Sequence, residues 1–343
     1  LTYKHSGVDI DAQDDALARI KKHLASTKTP GVLSELGSFG GLFAVPQDVP
    51  EPVLVASTDG VGTKLMVAWR ANRHDTVGAC LVNHCVNDIL VMGAHPLFFL
   101  DYFATAKLVP EVMESVVAGI ARACRENSCA LIGGETAELP EMYKPNEYDL
   151  AGTIIGIASR QALLGPQRVQ AGDRVYGLAS TGLHTNGYSL ARKVVFDRLK
   201  LSVTDAMPGT NQSVADALLA VHRSYFPLLR AGLAARSIQA LAHITGGGLT
   251  DNIPRVLPDT LDCEIELGSW AIPGLFRTLI EVGQVPQDDA LRTFNLGIGM
   301  VALVSAERDE EFVRALHAQH ETPVRIGTIV PGRGEVRYRG ALS

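Results

Sequence analysis

The chain has 343 residues, too long for one ordinary core and suited to two domains of average size. A net charge of −6 argues against a nucleic-acid-binding face. No stretch approaches the ~20 apolar residues that would span a bilayer, and the N-terminal run lacks the apolar core of a signal peptide, so a cytoplasmic protein is expected.

In chain order, Ile10, Leu17, Ile20 and Leu24 have helical spacing, with Lys21 and Lys22 beside the stripe. A glycine-rich stretch, LGSFGGLF, covers Leu36 to Phe43. PVLVAS, Pro52 to Ser57, reads as a strand that feeds into TDGVGTK. Thr76 to Met92 is helical, with an apolar face of Val77, Leu81, Cys85 and Ile89 and a polar patch of Asn83, His84, Asn87 and Asp88. LFFLDYF is a strand. A helix starts at Pro110, CALIGG is a strand followed by ETAELPEMY, and Asp149 to Ser159 is another apolar strand.

The polar, aperiodic GPQRVQAG marks a domain boundary, dividing the chain into 1–166 and 167–343. Beyond it, DRVYGLAS, IQALAHIT and FNLGIGMVALVS read as strands. YSLARKVVFDRL, LTDNIPRVL and DEEFVRALHAQH read as helices, and the end, VRIGTIV–PGRG–EVRYRG, looks like a hairpin. Strands often follow one another too closely for helical crossovers, which favours two α+β domains with mixed sheets over a doubly wound parallel sheet.

Two compositional features bear on chemistry. Five cysteines, Cys80, Cys85, Cys124, Cys129 and Cys263, form no CxxC pair or zinc spacing and read as reduced, buried thiols. The 33 glycines are about 10% of the chain against a usual value of about 7%, and they cluster beside acids. Asp59, Glu135 and Asp149 stand where strands begin or end, with glycines close by, while Asp88 lies within a helix, where an unpartnered charge is costly. Such a set suits a hard cation held by oxygen ligands, with Asp59, Asp88, Glu135 and Asp149 as candidate magnesium ligands. Gly60-Val61-Gly62-Thr63-Lys64 resembles a phosphate cradle without being a Walker A motif, and Lys64 could neutralise phosphate oxygens. In the second half, Ser180-Thr181-Gly182 through His184 and Asn186, and Thr245-Gly246-Gly247-Gly248, are loops suited to a phosphorylated second substrate. His184 fits either a catalytic or a structural role.

Long blocks then carry a family resemblance: YKHSGVDID, GGLFAVP, ASTDGVGTK, VNDILVMGAHPLFFLDYFAT, IGGETAELPEMY, DLAGTIIG, TGLHTNGYSLARKV, HITGGGLTDNIPRVLP and FNLGIGM. In this order they resemble the phosphoribosylformylglycinamidine cyclo-ligase family over nearly the whole chain. The resemblance implies ATP-dependent closure of formylglycinamidine ribonucleotide to aminoimidazole ribonucleotide, with ATP and Mg2+ as cofactors. It places the nucleotide near Lys21, Asp59, Gly60, Gly62, Lys64, Asp88, Gly133, Gly134 and Glu135. Asp59, Asp88 and His184 become the catalytic candidates. The substrate-side residues are Ser180, Thr181, His184, Asn186, Thr245, Gly246 and Gly247. It further implies an N-terminal nucleotide, metal and dimerisation domain, a C-terminal substrate-side domain, and a homodimer formed through the N-terminal sheets. Ser38, Glu141 and Thr185 depart from the usual family residues without removing any acid or lysine named above. The alternative is another ATP-using member of the superfamily, such as a thiamine-monophosphate kinase; a non-catalytic nucleotide-binding protein would have no need of several converging acids.

Overall fold

The computed structural model describes residues 5, 7–35 and 38–342, so Tyr3, Lys4 and Ser6 of the first motif and Leu36 and Gly37 of the glycine-rich stretch lie outside the described residues. The chain forms two compact units, Leu1–Ile89 with His95–Arg160, and Leu90–Ala94 with Gln161–Ser343. Each carries a mixed sheet with helices, as an α+β chain should.

In the first unit, α1 (Ile10–Ala25) starts where the Asp9 side chain accepts the Ala12 N–H. Strand β1 (Pro52–Gly60) is followed by α2 (Leu65–Ala71), α3 (Val77–Leu90), β2 (His95–Thr105), α4 (Pro110–Glu126), β3 (Ala130–Glu138) and β4 (Tyr148–Ser159). The sheet order is β1-β4-β2-β3, antiparallel except for the parallel β2–β3 pair. Helices α3 and α4 approach closely because Gly78 and Gly119 leave room. A Cβ on Gly78 would lie 2.1 Å from the Val116 carbonyl oxygen, and one on Gly119 would lie 2.4 Å from that of Asp75. The ETAE stretch continues strand β3 instead of leaving the sheet.

The second unit contains β5 (Arg174–Ala179), α5 (Tyr188–Arg192), α6 (Val214–Leu219), α7 (Phe226–Ala234), β6 (Ile238–His243), α8 (Gly248–Asn252), β7 (Leu261–Glu266), α9 (Gly274–Gly283), α10 (Gln287–Thr293), β8 (Ile298–Val304), α11 (Asp309–His317), β9 (Val324–Pro331) and β10 (Val336–Arg339). Its sheet runs β10-β7-β9-β5-β8-β6. Every residue of β8, IGMVALV, is buried, which is why this strand reads as an unbroken apolar run.

Three expectations about elements need correction. The C-terminal strands are not a hairpin: β10 pairs parallel with β7, and β7 separates it from β9. The buried Asp262 carboxylate accepts the N–H groups of Arg333 and Glu335 and turns the connection away from β9. LTDNIPRVL is a five-residue α-helix that tightens into a 3-10 turn at Ile253–Val256, where Pro254 lacks the N–H that a continuing α-helix needs. YSLARKVVFDRL passes from α5 into a π-helical segment, Lys193–Arg198.

Candidate functional site

Alternation along β1 sends Val53, Val55, Ser57 and Asp59 to the helix-covered face of the first unit's sheet. There they meet the polar stripe of α3. Asn83, His84 and Asn87 are buried in that stripe rather than solvated, and Asn127 donates to Asn83 at 2.9 Å. Ser57 Oγ donates to Asp88 Oδ2 at 2.9 Å. His84 Nε2 lies 3.0 Å from Asp59 Oδ2 and 3.8 Å from Asp88 Oδ2. The other oxygen of Asp59 accepts the Gly60 N–H at 2.6 Å.

Two carboxylates thus converge on one imidazole. Burial works against the imidazolium, but the hydrogen bond to Asp59 and the charges of Asp88 and Asp59 outweigh it and raise the His84 pKa above its ordinary value. The Asp59 and Asp88 side chains stay 45% and 25% exposed, so incoming ligands can reach their oxygens. This all-oxygen pair fits magnesium, which commonly takes one or two carboxylates and fills its remaining positions with water and phosphate oxygens.

Glu135 and Asp149 are placed differently. Across the sheet, Gly60, Ala151, Tyr102 and Glu135 form one row, and Asp149 pairs with Ala104 two residues further along. This alternation puts Glu135 and Asp149 on the exposed face, opposite the one carrying Asp59. The charge of Asp149 helps to raise the Tyr143 pKa after the larger effect of desolvation. One chain therefore does not gather the four acids into a single cluster. Strand register decides this, because two residues of opposite parity on paired strands cannot share a face.

Lys64 also departs from expectation. Its side chain is fully buried and Nζ donates to Cys80 Sγ at 3.1 Å, so the ammonium points into the protein. Gly62, with φ +65° and open space around it, keeps the exposed backbone that a phosphate loop requires. Gly134 has a packing reason to be glycine: a Cβ there would lie 2.3 Å from Asp101 Oδ1. Gly133 lies over Leu100. Burial pushes the Asp101 carboxyl up to about 7. Lys21 lines a cavity of about 300 Å³ with Lys28, Val32, Glu35, Leu131 and Ile132, apolar walls with two ammonium groups and one carboxylate beside them.

In the second unit, the loop after β5 is tied down on several sides. Ser180 Oγ donates to Asn295 Oδ1, Asn295 Nδ2 donates to the Gly182 carbonyl, and Thr181 Oγ1 donates to the Val221 carbonyl. His184 is buried at φ +60°, a conformation L residues rarely hold, and its Nε2 accepts the Thr181 N–H at 3.3 Å. Asn186 brings its carbonyl oxygen against Gly246, within 3.3 Å of where a Cβ would stand. Asn252 ties the TGGG loop by donating to the carbonyls of Thr245, Gly246 and Gly248. The Asn186 Nδ2 is buried with no hydrogen-bond partner among the described residues, and a buried donor in that state suits a ligand acceptor.

Sequence reasoning named His84 only as part of a polar patch, although its i, i+4 spacing from Asp88 could have marked it as a site residue. His222 lies in none of the motifs and His243 only opens the HITGGG block, where it drew no role, and both prove to be buried beside His184.

Residues 44–158 match the family described as AIR synthase related protein, N-terminal domain, and residues 170–339 match its C-terminal domain. The chain is 48% identical over 328 residues to the phosphoribosylformylglycinamidine cyclo-ligase of Nitratidesulfovibrio vulgaris, covering 95% of this chain and 93% of that protein. Among solved structures, the thiamine-monophosphate kinase of Stenotrophomonas maltophilia superposes with a TM-score of 0.70 at 18% identity, covering 96% and 97% of the two chains. The hydrogenase maturation protein HypE in complex with ATP gives a TM-score of 0.63 at 18% identity, covering 92% and 88%. These two likenesses speak to the fold alone.

Proposed function

The chain belongs to the phosphoribosylformylglycinamidine cyclo-ligase family, and from this premise we propose that it closes formylglycinamidine ribonucleotide to aminoimidazole ribonucleotide in purine biosynthesis, using ATP and releasing ADP and phosphate. The observation that carries the reading is the carboxylate pair formed by Asp59 at the end of β1 and Asp88 on α3, in a chain alignable along 95% of its length with a cyclo-ligase. Thiamine-monophosphate kinase activity is the alternative, and the fold likeness at 18% identity gives it no further weight.

The chemistry demands activation of a poor leaving group. An amide oxygen becomes displaceable once phosphorylated, after which the amidine nitrogen can attack the same carbon and expel phosphate. Mg2+ held by Asp59 and Asp88 would supply charge neutralisation at the triphosphate. Glu135 and Asp149, on the opposite face of the sheet, are not ligands of that ion within one chain. Gly60 and Gly62 offer backbone to the phosphates, and Gly133 leaves its own position on β3 without a side chain. The cavity beside Lys21 suits the nucleoside end of ATP. Lys64 is left out of the phosphate contacts because its ammonium is buried.

The C-terminal unit takes the ribonucleotide. Asn186 Nδ2 offers a buried donor, Ser180, Thr181, Thr245, Gly246 and Gly247 shape the two loops, and His184 contacts the reacting end. Closing a ring between two ends of one molecule depends above all on holding them together, so rigid loops serve the reaction directly. The exposed face of the first sheet carries Leu54, 60% exposed, and Tyr102, 38% exposed; a second copy pairing there would make the homodimer. The cytoplasm is the compartment proposed.

The test is direct. Purified protein receives formylglycinamidine ribonucleotide with Mg-ATP, and aminoimidazole product and ADP are measured together. Equal amounts of both are expected, whereas ADP without the imidazole would overturn the assignment.

A further inference from the structure

Three buried histidines of the C-terminal unit form a group that the proposed reaction does not use as a group. His184 lies on the loop after β5, His222 lies between α6 and α7, and His243 ends β6. They are 1%, 0% and 6% exposed. His222 Nε2 and His243 Nε2 lie 3.0 Å apart, and the His184 ring is stacked on that of His222 with centroids 4.0 Å apart. One nitrogen from each of the three falls within 4.8 Å of the others.

We propose that His184, His222 and His243 form a binding site for a borderline divalent cation of the zinc class, distinct in chemistry from the carboxylate pair of the N-terminal unit. The donor set carries the choice of ion. Imidazole nitrogens suit Zn2+, Co2+, Ni2+ and Cu2+, whereas Mg2+ prefers oxygen. Distances agree. Zinc–nitrogen bonds of about 2.0–2.1 Å place neighbouring tetrahedral donors about 3.3 Å apart, close to the separation of the His222 and His243 nitrogens.

The orientation of His222 is also set in advance, whereas the His184 ring, stacked on it at 18°, has to turn for its lone pair to meet the same ion. His222 Nδ1 meets Thr185 Oγ1 at 3.3 Å, which leaves Nε2 directed at His243. A hydrogen bond on the far nitrogen is the usual way a metal-binding imidazole is held in place. Coordination through His184 Nε2 would give up the long bond from the Thr181 N–H, a small loss beside a metal–nitrogen bond. Without an ion, the facing nitrogens of His222 and His243 need one proton between them, and a cation replaces that proton.

The inference is independent of the proposed reaction, because its readout is metal binding by the protein alone. Tag-free, metal-stripped, full-length protein is titrated with Co2+ in the presence of excess Mg2+ and without nucleotide. One equivalent is expected to bind with the intense visible absorption of a four-coordinate, nitrogen-ligated ion, and Zn2+ should displace it. His222→Ala and His243→Ala should each weaken binding more than about 100-fold. Replacement of the exposed His317 and His320 should leave binding unchanged. Far-UV circular dichroism checks the folding of each variant. If neither cluster variant folds, the native protein still decides. No bound equivalent, a weak six-coordinate spectrum, or a thiolate charge-transfer band from the cysteines would each overturn the site. Retention of the band in folded His222→Ala protein would overturn it as well.

Discussion

His84 Nε2 stands 3.0 Å from Asp59 Oδ2, a contact between residues 25 positions apart that couples the end of β1 to the middle of α3. Asp88 approaches the same nitrogen from one helical turn away, at 3.8 Å. The imidazole therefore offsets two carboxylates that would otherwise repel each other at the place where a divalent ion is proposed to bind.

Replacing that imidazole should make the protein more dependent on metal. In His84→Gln, the unbalanced carboxylates should lower stability by about 1–3 kcal/mol in EDTA, the usual cost of breaking a buried polar network. Added Mg2+ should then raise the melting temperature of the variant more than that of the parent. Equal increments in thermal melts with and without Mg2+ would refute the charge-balancing role.

The carboxylates themselves should matter mainly to turnover. Asp59→Asn and Asp88→Asn keep shape and remove charge, and each is expected to lower kcat at least 100-fold, about 2.7 kcal/mol of barrier. Circular dichroism should remain that of the parent. Steady-state assays with saturating ATP and ribonucleotide make the comparison, and unchanged turnover in both variants would remove them from the metal site.

Asn186 separates the substrate side from the nucleotide side. Its buried Nδ2 has no hydrogen-bond partner among the described residues, so Asn186→Ala removes a donor reserved for ligand. The KM for the ribonucleotide should rise about tenfold, equivalent to about 1.4 kcal/mol of lost binding, while the KM for ATP stays put. A change confined to ATP would assign Asn186 to the other substrate.

Asp101 gives a stability signature in pH. Burial raises its carboxyl from an ordinary value of 3.8 to about 7, so between those values the folded chain holds a proton that the unfolded chain has released. Stability must then fall as pH rises through that window, by at most about 4 kcal/mol, and level off above it. Asp101→Asn should flatten this part of the profile. Urea denaturation at a series of pH values reads it, and an identical slope in the variant would show that another group is responsible.

How much of this was legible beforehand depends on how local each feature is. The ends of α1 and α4, the strand leading into Asp59 and the unbroken apolar β8 follow from spacing, capping and proline placement within single segments. The β7 strand, LDCEIE, alternates apolar residues with acids as a half-buried strand should, a signal present in the sequence but absent from the strands assigned in chain order. The apparent terminal hairpin failed for a different reason. A short turn between two strands makes their pairing plausible, but Asp262, some seventy residues earlier, captures the turn and inserts β7.

The amino-acid sequence by itself determined the α+β character, the acids and glycine loops, and the family, because these rest on residue type and on order along the chain. Only the tertiary structure decided which of those groups meet. GVGTK reads the same whether Lys64 faces phosphate or Cys80, and the choice depends on how much room the surrounding core leaves. Likewise, Glu135 and Asp149 share a composition with Asp59 but not a face, since the side a strand residue occupies is set by its register against neighbours distant in sequence.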